Sequence, residues 1–346
     1  MNIEFLDAGC GDAIHIRFKG IDDKYHNIII DGGIENGDVY PSRLKKKLEQ
    51  VIENAEHIDL WIITHIDDDH IGGVLRLLKD TGILNALDLS KTKFWFNYSI
   101  WDYDTGIRED NLKSVRQGIR LREYLKKNST VEAPITDALG TINLWGVALS
   151  ILSPDEQHYA ELLKKWEKEE QKIRQKDSSG LKRGGNNDYD IKIENFDITD
   201  QEEDKSEENA SSIAFLLRFN DKTVLFTSDS NPSVLTKALA KLNDGKKVKV
   251  DYMQVPHHGS RYNINNALLE LIDCGHYIIC ADGHNKSNLP NKASMVKILK
   301  ANPGKEIHFY LTQSNNLTRN IFTVDIGHTI PVHFPHPGSI GLNFIL

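Results

Sequence analysis

Thr64-His65-Ile66-Asp67-Asp68-Asp69-His70-Ile71-Gly72-Gly73 packs two imidazoles and three carboxylates into six positions, His65 to His70. The apolar run before it, Ile58-Asp59-Leu60-Trp61-Ile62-Ile63, reads as a buried strand. The run after it, Val74-Leu75-Arg76-Leu77-Leu78, has helical spacing. A donor-rich loop between a strand's carboxyl end and a helix start is where α/β folds place their sites. Alternate residues of an extended loop turn to the same side, so His65, Asp67 and Asp69 can converge, with His70 beside them. Imidazole plus carboxylate is a donor set for zinc, manganese or iron. The bland alternative is a solvated acidic turn. A surface turn gains nothing from a histidine at each end of three aspartates, and packing these charges without a cation costs several kcal/mol.

Upstream, Ala13-Ile14-His15-Ile16-Arg17-Phe18 alternates as a half-buried strand does. Asn27-Ile28-Ile29-Ile30 is a further strand, ending at Asp31-Gly32-Gly33, where glycines permit close backbone approach. Asp31 is either a turn residue or an acceptor that orients the metal loop from behind. Ser42 to Glu56 reads as a helix with Leu44, Leu48, Val51 and Ile52 on one face. The plan is hairpin, strand, helix, strand, donor loop, helix.

The chain has 346 residues and 39% hydrophobic content, enough for a sizeable core in one large domain or two. No apolar run reaches the roughly 18 residues of a membrane span, and Met1-Asn2-Ile3-Glu4-Phe5 lacks signal-peptide character. Cys10, Cys274 and Cys280 are an odd set without CxxC spacing, which argues against a disulfide framework. These features predict a cytoplasmic protein with no membrane partner. The net charge of −8 disfavours nucleic acid at first sight, but −7 of it falls between Asp155 and Glu208.

Five stretches in order then carry a resemblance. They are Phe5-Leu6-Asp7-Ala8-Gly9-Cys10-Gly11-Asp12, Ile30-Asp31-Gly32-Gly33, His65 to Gly73, Asn209-Ala210-Ser211-Ser212 leading to Val224-Leu225-Phe226-Thr227-Ser228-Asp229, and Val255-Pro256-His257-His258-Gly259-Ser260. Together they resemble metallo-β-lactamase-fold hydrolases. The His-x-Asp-x-Asp-His form is similar to the branch typified by the hydrolase domain of the DNA-uptake protein ComEC. The resemblance implies an α/β fold, an αββα sandwich with a metal site at one edge, over a single domain 1–346. It implies that His65 and Asp67 bind one metal, that Asp69, His70 and His258 bind a second, and that Asp229 bridges them. His257 is then a ligand or a proton donor, and Asn209 stands near the place of a histidine in the wider family. Asn285-Lys286-Ser287-Asn288-Leu289-Pro290 has leucine where that branch carries a histidine, with His284 close by.

Two insertions are expected. The first, about 91–145, begins with aromatics and continues into a helix from Asn111 to Asn128 with six basic residues. Arg116, Arg120 and Lys127 on it, with His284 and Asn285, are weak candidates for substrate contact. A basic helix beside aromatics suits a phosphodiester strand, and equally a solvated face over a small aromatic core. The second, about 155–208, is charged and partly mobile by composition, a linker or a docking surface for a protein partner.

The expected activity is a metal-dependent hydrolase with one or two zinc or manganese ions. A bound cation lowers the pKa of its water toward about 7, and two can hold attacking and leaving oxygens, which suits phosphodiester hydrolysis. Asp69 or His257 would move the proton. The first expectation is a phosphodiesterase or nuclease acting on nucleic acid or a nucleotide. The alternatives are a hydrolase of a carboxylic ester, lactam or thioester, and a catalytically weak metal-binding partner of another protein.

Overall fold

The computed structural model describes residues 1–35, 37–99, 113–173, 187–284 and 288–346. Among these residues two large mixed sheets lie face to face. The first runs in the order Gly341–Ile345, Asn2–Leu6, Ala13–Lys19, Tyr25–Asp31, Leu60–Ile63, Lys93–Phe96, Thr130–Glu132. Its pairs are antiparallel up to Tyr25–Asp31 and parallel beyond it. The second runs Val332–His333, His308–Leu311, His276–Ile279, Tyr252–Gln254, Lys222–Phe226, Ala214–Phe219, Val147–Ser153, Thr141–Leu144. It too has an antiparallel half and a parallel half.

Side-chain alternation sorts each strand between two cores. Ile28, Ile30, Leu60, Ile62 and Trp95 point inward, to meet Leu149, Phe215, Leu217, Val224 and Phe226 of the second sheet. Ile29, Trp61, Ile63, Phe94 and Phe96 point outward, beneath Leu44, Leu48, Val51, Val74 and Leu75 of the covering helices. On the far side Leu216, Leu225, Met253 and Ile279 pack under Leu235, Leu239, Met295 and Ile298. A sheet buried on both faces needs near-continuous apolar strands, and Leu60-Trp61-Ile62-Ile63 is fully buried for that reason. The layers are helix, sheet, sheet, helix, as the αββα expectation had it.

Several local expectations change. The stretch about 91–145 is not an appendage: Lys93–Phe96 and Thr130–Glu132 extend the first sheet, and Thr141–Leu144 edges the second. Phe94, Trp95 and Phe96 are at most 1% exposed there, so these aromatics are sheet core. The helix is described from Lys113 to Asn128. It buries Val115, Ile119, Leu121 and Leu125, and Arg122 is buried in an ion pair with Glu170. Trp101, Tyr103 and Asn111 lie outside the described residues.

The acidic segment, expected to be a partly mobile linker, is tied down over its described part. Asp188 accepts from the Lys292 and Ala293 backbone and from Arg261. Asp200 pairs with Lys297, and Lys165 with Glu207 and Glu208. High charge density signalled solvation, but the opposite charges lie on distant elements and only the fold brings them into register. Residues 321–325 have the alternation of a strand in sequence, yet 321–324 form turns.

Candidate metal centre

The donor loop leaves the first sheet after Ile63 and enters the helix Asp68–Leu77, with Asp67 at its N-cap. Glycines seat it. A Cβ on Gly73 would lie 1.8 Å from the Gly32 carbonyl oxygen, and one on Gly72 would lie 2.0 Å from the Glu35 nitrogen. Only bare backbone lets the helix start rest on the strand end at Asp31. A Cβ on Gly11 would likewise meet the Asp69 carbonyl oxygen at 2.3 Å, so the turn 9–12 also lies flush on the loop. There the Asp12 N–H donates to that oxygen at 3.1 Å.

Facing the loop, the second sheet ends in Thr227-Ser228-Asp229 and in the turn His257–Gly259. Asp31 (φ 56), Ser228 (φ 46), His257 (φ 47) and His258 (φ 53) all hold left-handed backbone. Each such non-glycine residue costs about 1–3 kcal/mol and persists only where surrounding structure over-determines it. Of these, His257 and His258 aim their rings at one point, while Asp31 and Ser228 turn to Thr64 behind it.

Asp229 is that point. Its Oδ2 lies 3.8 Å from His65 Nε2 and 3.6 Å from His257 Nε2. Its Oδ1 lies 3.4 Å from His70 Nε2 and 3.6 Å from His258 Nε2. Asp67 reaches the first side, with Oδ2 at 3.9 Å from His65 Nε2. Asp69 reaches the second, with Oδ2 at 3.4 Å from His258 Nε2. The donors thus form two groups that share one carboxylate. His65, His70, His258 and Asp229 make a floor with side chains at most 3% exposed, while Asp67, Asp69 and His257 make a rim 25–34% exposed.

The floor is held from behind. Asp31 accepts from His70 Nδ1 at 2.8 Å and from the Thr64 N–H and hydroxyl at 2.8 and 2.6 Å. The Ser228 hydroxyl donates to Thr64 Oγ1 at 2.8 Å, linking the two sheets. With Nδ1 committed to Asp31, His70 presents Nε2 to the centre. Asn263 Oδ1 and Asp204 do the same for His257, 3.0 and 3.1 Å from its Nδ1, and Asn209 Nδ2 donates to Asp204 at 2.6 Å.

Burial pulls the His65 imidazole down to about 4, and His70 beside it pushes the same way. Burial also acts against charge on His70, His258 and His257. Asp229 with Asp31 outweighs it at His70 and holds that ring well up, and Asp229 with Asp69 and Asp12 raises His258. Asp229 and Asp204 raise His257 to about 9. Burial pushes Asp229 up, but His257, His258 and His70 hold it well below the usual carboxylate range. The carboxylates favour positive charge at this spot, which a divalent cation would supply in place of imidazole protons.

The donors fit a cation in a second way. His65 Nε2 and Asp229 Oδ1 are buried without any hydrogen-bond partner. Such atoms are costly unless something coordinates them.

Other candidates stand elsewhere. Arg116 and Arg120 are half-buried and Lys127 is exposed on the helix Lys113–Asn128. That helix touches the loop through Gln117, whose Nε2 donates to Asp68 at 2.6 Å. His284 is exposed beside an open cavity of about 520 Å³ with Gln313, Asn315 and Arg319. Asn285 lies outside the described residues. Sequence reasoning missed Asp204, Thr64, Asp12 and Cys10. Asp12 and Cys10 stood in a quoted motif, but Asp204 had no local signal within a run of carboxylates.

Residues 21–141 match the model of the metallo-β-lactamase superfamily. No curated protein sequence matches the chain. Among solved structures the chain is similar to CmlA, a diiron β-hydroxylase from Streptomyces venezuelae, at 13% identity and a TM-score of 0.39, covering 100% of this chain and 54% of that one. The chain thus spans about half the length of that protein. It is similar to a protein of Parabacteroides distasonis provisionally described as a metal-dependent hydrolase, at 11% identity and a TM-score of 0.36, covering 96% and 91%. It is also similar to a long form RNase Z from yeast, at 9% identity and a TM-score of 0.36, covering 90% and 36%.

Proposed function

On the α/β metallo-β-lactamase fold that this chain carries, we propose a metal-dependent hydrolase that cleaves phosphodiesters, a phosphodiesterase or nuclease. The observation that carries the reading is Asp229, which turns one oxygen to each of two donor groups. Cations held by these donors would supply Lewis-acid chemistry suited to phosphodiester hydrolysis. The order of motifs from Asp7 to Ser260 resembles the ComEC branch, which supports a phosphodiester over a carboxylic ester or lactam.

The protein's own groups divide the work. His65, His70, His258 and Asp229 would hold the metal from the buried floor, Asp67 and Asp69 from the rim. Asp31 and Thr64 keep His70 Nε2 pointed inward. His257 is the most exposed of these imidazoles, with Nδ1 held by Asp204 and Asn263, so its Nε2 is the atom to hold or pass a proton at the substrate side. Asp69, set against His258, serves as a ligand.

The test is metal analysis of the purified chain with a substrate panel: a small chromogenic phosphodiester, cyclic nucleotides, single-stranded DNA and RNA, and a carboxylic ester. Bound zinc or manganese with turnover of phosphodiesters alone is expected. Turnover confined to the carboxylic ester would reverse the substrate class, and a chain that binds no divalent metal would end the proposal.

A further inference from the structure

The second donor group contains a residue that the proposed hydrolase has not used. Cys10 Sγ, a carboxylate oxygen of Asp69 and a ring nitrogen of His258 all lie within 4.8 Å of one another. Cys10 reaches the site because its turn has no choice of position. Gly9 turns the chain with φ +74, Gly11 lies against the Asp69 backbone, and the Asp12 N–H and C=O bind the Asp69 carbonyl and the Gly33 N–H. The thiol is therefore held by the same backbone contacts that hold the loop.

A cysteine near two donors is not by itself a site. Here an independent observation points into the same space. Asp229 Oδ1 is buried, has no hydrogen-bond partner, and lies 3.6 Å from His258 Nε2. It faces the group that Cys10 joins.

We propose that Cys10 is a thiolate ligand of the second metal position, completing a set with Asp69, His70, His258 and Asp229. The assignment rests on the metal-centre reading above and adds a prediction about which metal. On binding, the S–H proton leaves to solvent and a sulfur–metal bond forms, with no change of oxidation state. The first position holds only imidazole and carboxylate donors, which zinc and manganese both accept. The second gains a soft donor, which favours zinc or cadmium over manganese or magnesium. The two positions therefore differ in preference, and manganese would enter the first while zinc holds the second.

The experiment is spectroscopic and needs no substrate. The metal-free full chain is titrated with cobalt(II), and with zinc for X-ray absorption. Expected is a thiolate-to-cobalt charge-transfer band beside the weaker ligand-field bands, and in the zinc protein a sulfur neighbour at about 2.3 Å. Cys10→Ser should lose the band yet keep the ligand-field bands of the other position. Its second metal should bind more weakly by at least roughly the 10–100-fold that losing even an outer partner costs. A variant with Cys274→Ser and Cys280→Ser should keep the band, since Cys274 lies in the apolar core and Cys280 packs against Gln254, outside the group that Cys10 forms with Asp69 and His258.

Two cobalt ions bound by the wild type without a charge-transfer band, or zinc without a sulfur neighbour, would overturn the role of Cys10 and leave the metal centre standing. Absence of any cobalt binding would overturn both. The wild-type spectra decide the matter even where Cys10→Ser does not fold.

Discussion

Asp229 is the residue on which both donor groups depend, and it sits at 2% exposure on left-neighbouring strained backbone at Ser228. Asp229→Asn keeps shape and hydrogen-bonding capacity but removes the shared charge. The expected protein is folded, holds less than its full metal complement and turns over phosphodiesters poorly; circular dichroism, metal content and rate are the three readings. Wild-type turnover would take Asp229 out of the centre. Asp204 tests a different link. It reaches His257 Nδ1 from the acidic segment, at 3.1 Å on the side away from Asp229. Asp204→Asn should leave metal content unchanged and lower kcat by roughly 10²-fold or more, the scale of general acid–base assistance. The limb of the pH profile belonging to His257 should move to lower pH, because Asp204 is one of the charges that raise that ring. Unchanged kcat with an unchanged profile would make the contact merely structural. His65, Asp67, Asp69 and His70 were legible because their chemistry is compressed into one loop. Asp204 was not, because one carboxylate among ten between Asp188 and Glu208 acquires its partner only when the segment folds back over the second sheet.

Elements show the same division. Strands such as Leu60–Ile63 announce themselves by continuous apolar character, and the helix Lys45–Glu53 by its buried Leu48 and Val51. Lys93–Phe96 and Thr130–Glu132 are short, and their membership of the first sheet is set by parallel partners far away in sequence, so a segment that completes the sheet reads as decoration. The basic helix misleads for a related reason: counting charges does not say which face they take. Arg122 points inward, with its side chain fully buried against Glu170 at 3.2 Å, and Gly118 admits Trp166 of the helix Glu156–Ile173, a Cβ there meeting the indole at 2.5 Å. The two helices therefore clamp each other above Ile66 of the donor loop. Arg122→Ala strands the Glu170 carboxylate in that interface and should cost about 3–5 kcal/mol. Denaturant unfolding measures it, and a loss below about 1 kcal/mol would mean that water reaches the pair.

At the scale of the whole molecule, charge separates polymeric from small substrates. The net charge is −8, and the acidic segment is bound close to the metal centre rather than held away from it, with Asp204 on His257. A polyanion approaching the rim meets that repulsion, whereas a small phosphodiester presents one charge to the cations. Among the described side chains of the helix Lys113–Asn128, the exposed cations are Lys126, which lies over the Tyr98 ring, and Lys127. They make a cleaner probe than Arg116 and Arg120, which are half-buried beside Gln117, whose bond to Asp68 joins the helix to the donor loop. Reversing Lys126 and Lys127 to glutamate leaves the clamp and the centre intact. If this face tracks a nucleic-acid strand, activity on single-stranded DNA or RNA should fall and its dependence on salt should flatten by roughly one to two units of slope. Hydrolysis of a small chromogenic phosphodiester by the same variant should match the wild type at every salt concentration, since it makes no contact with the helix. Equal slopes for both proteins on the polymers would remove the helix from the substrate path, and with the acidic segment beside the centre they would direct the phosphodiester reading to nucleotides rather than strands.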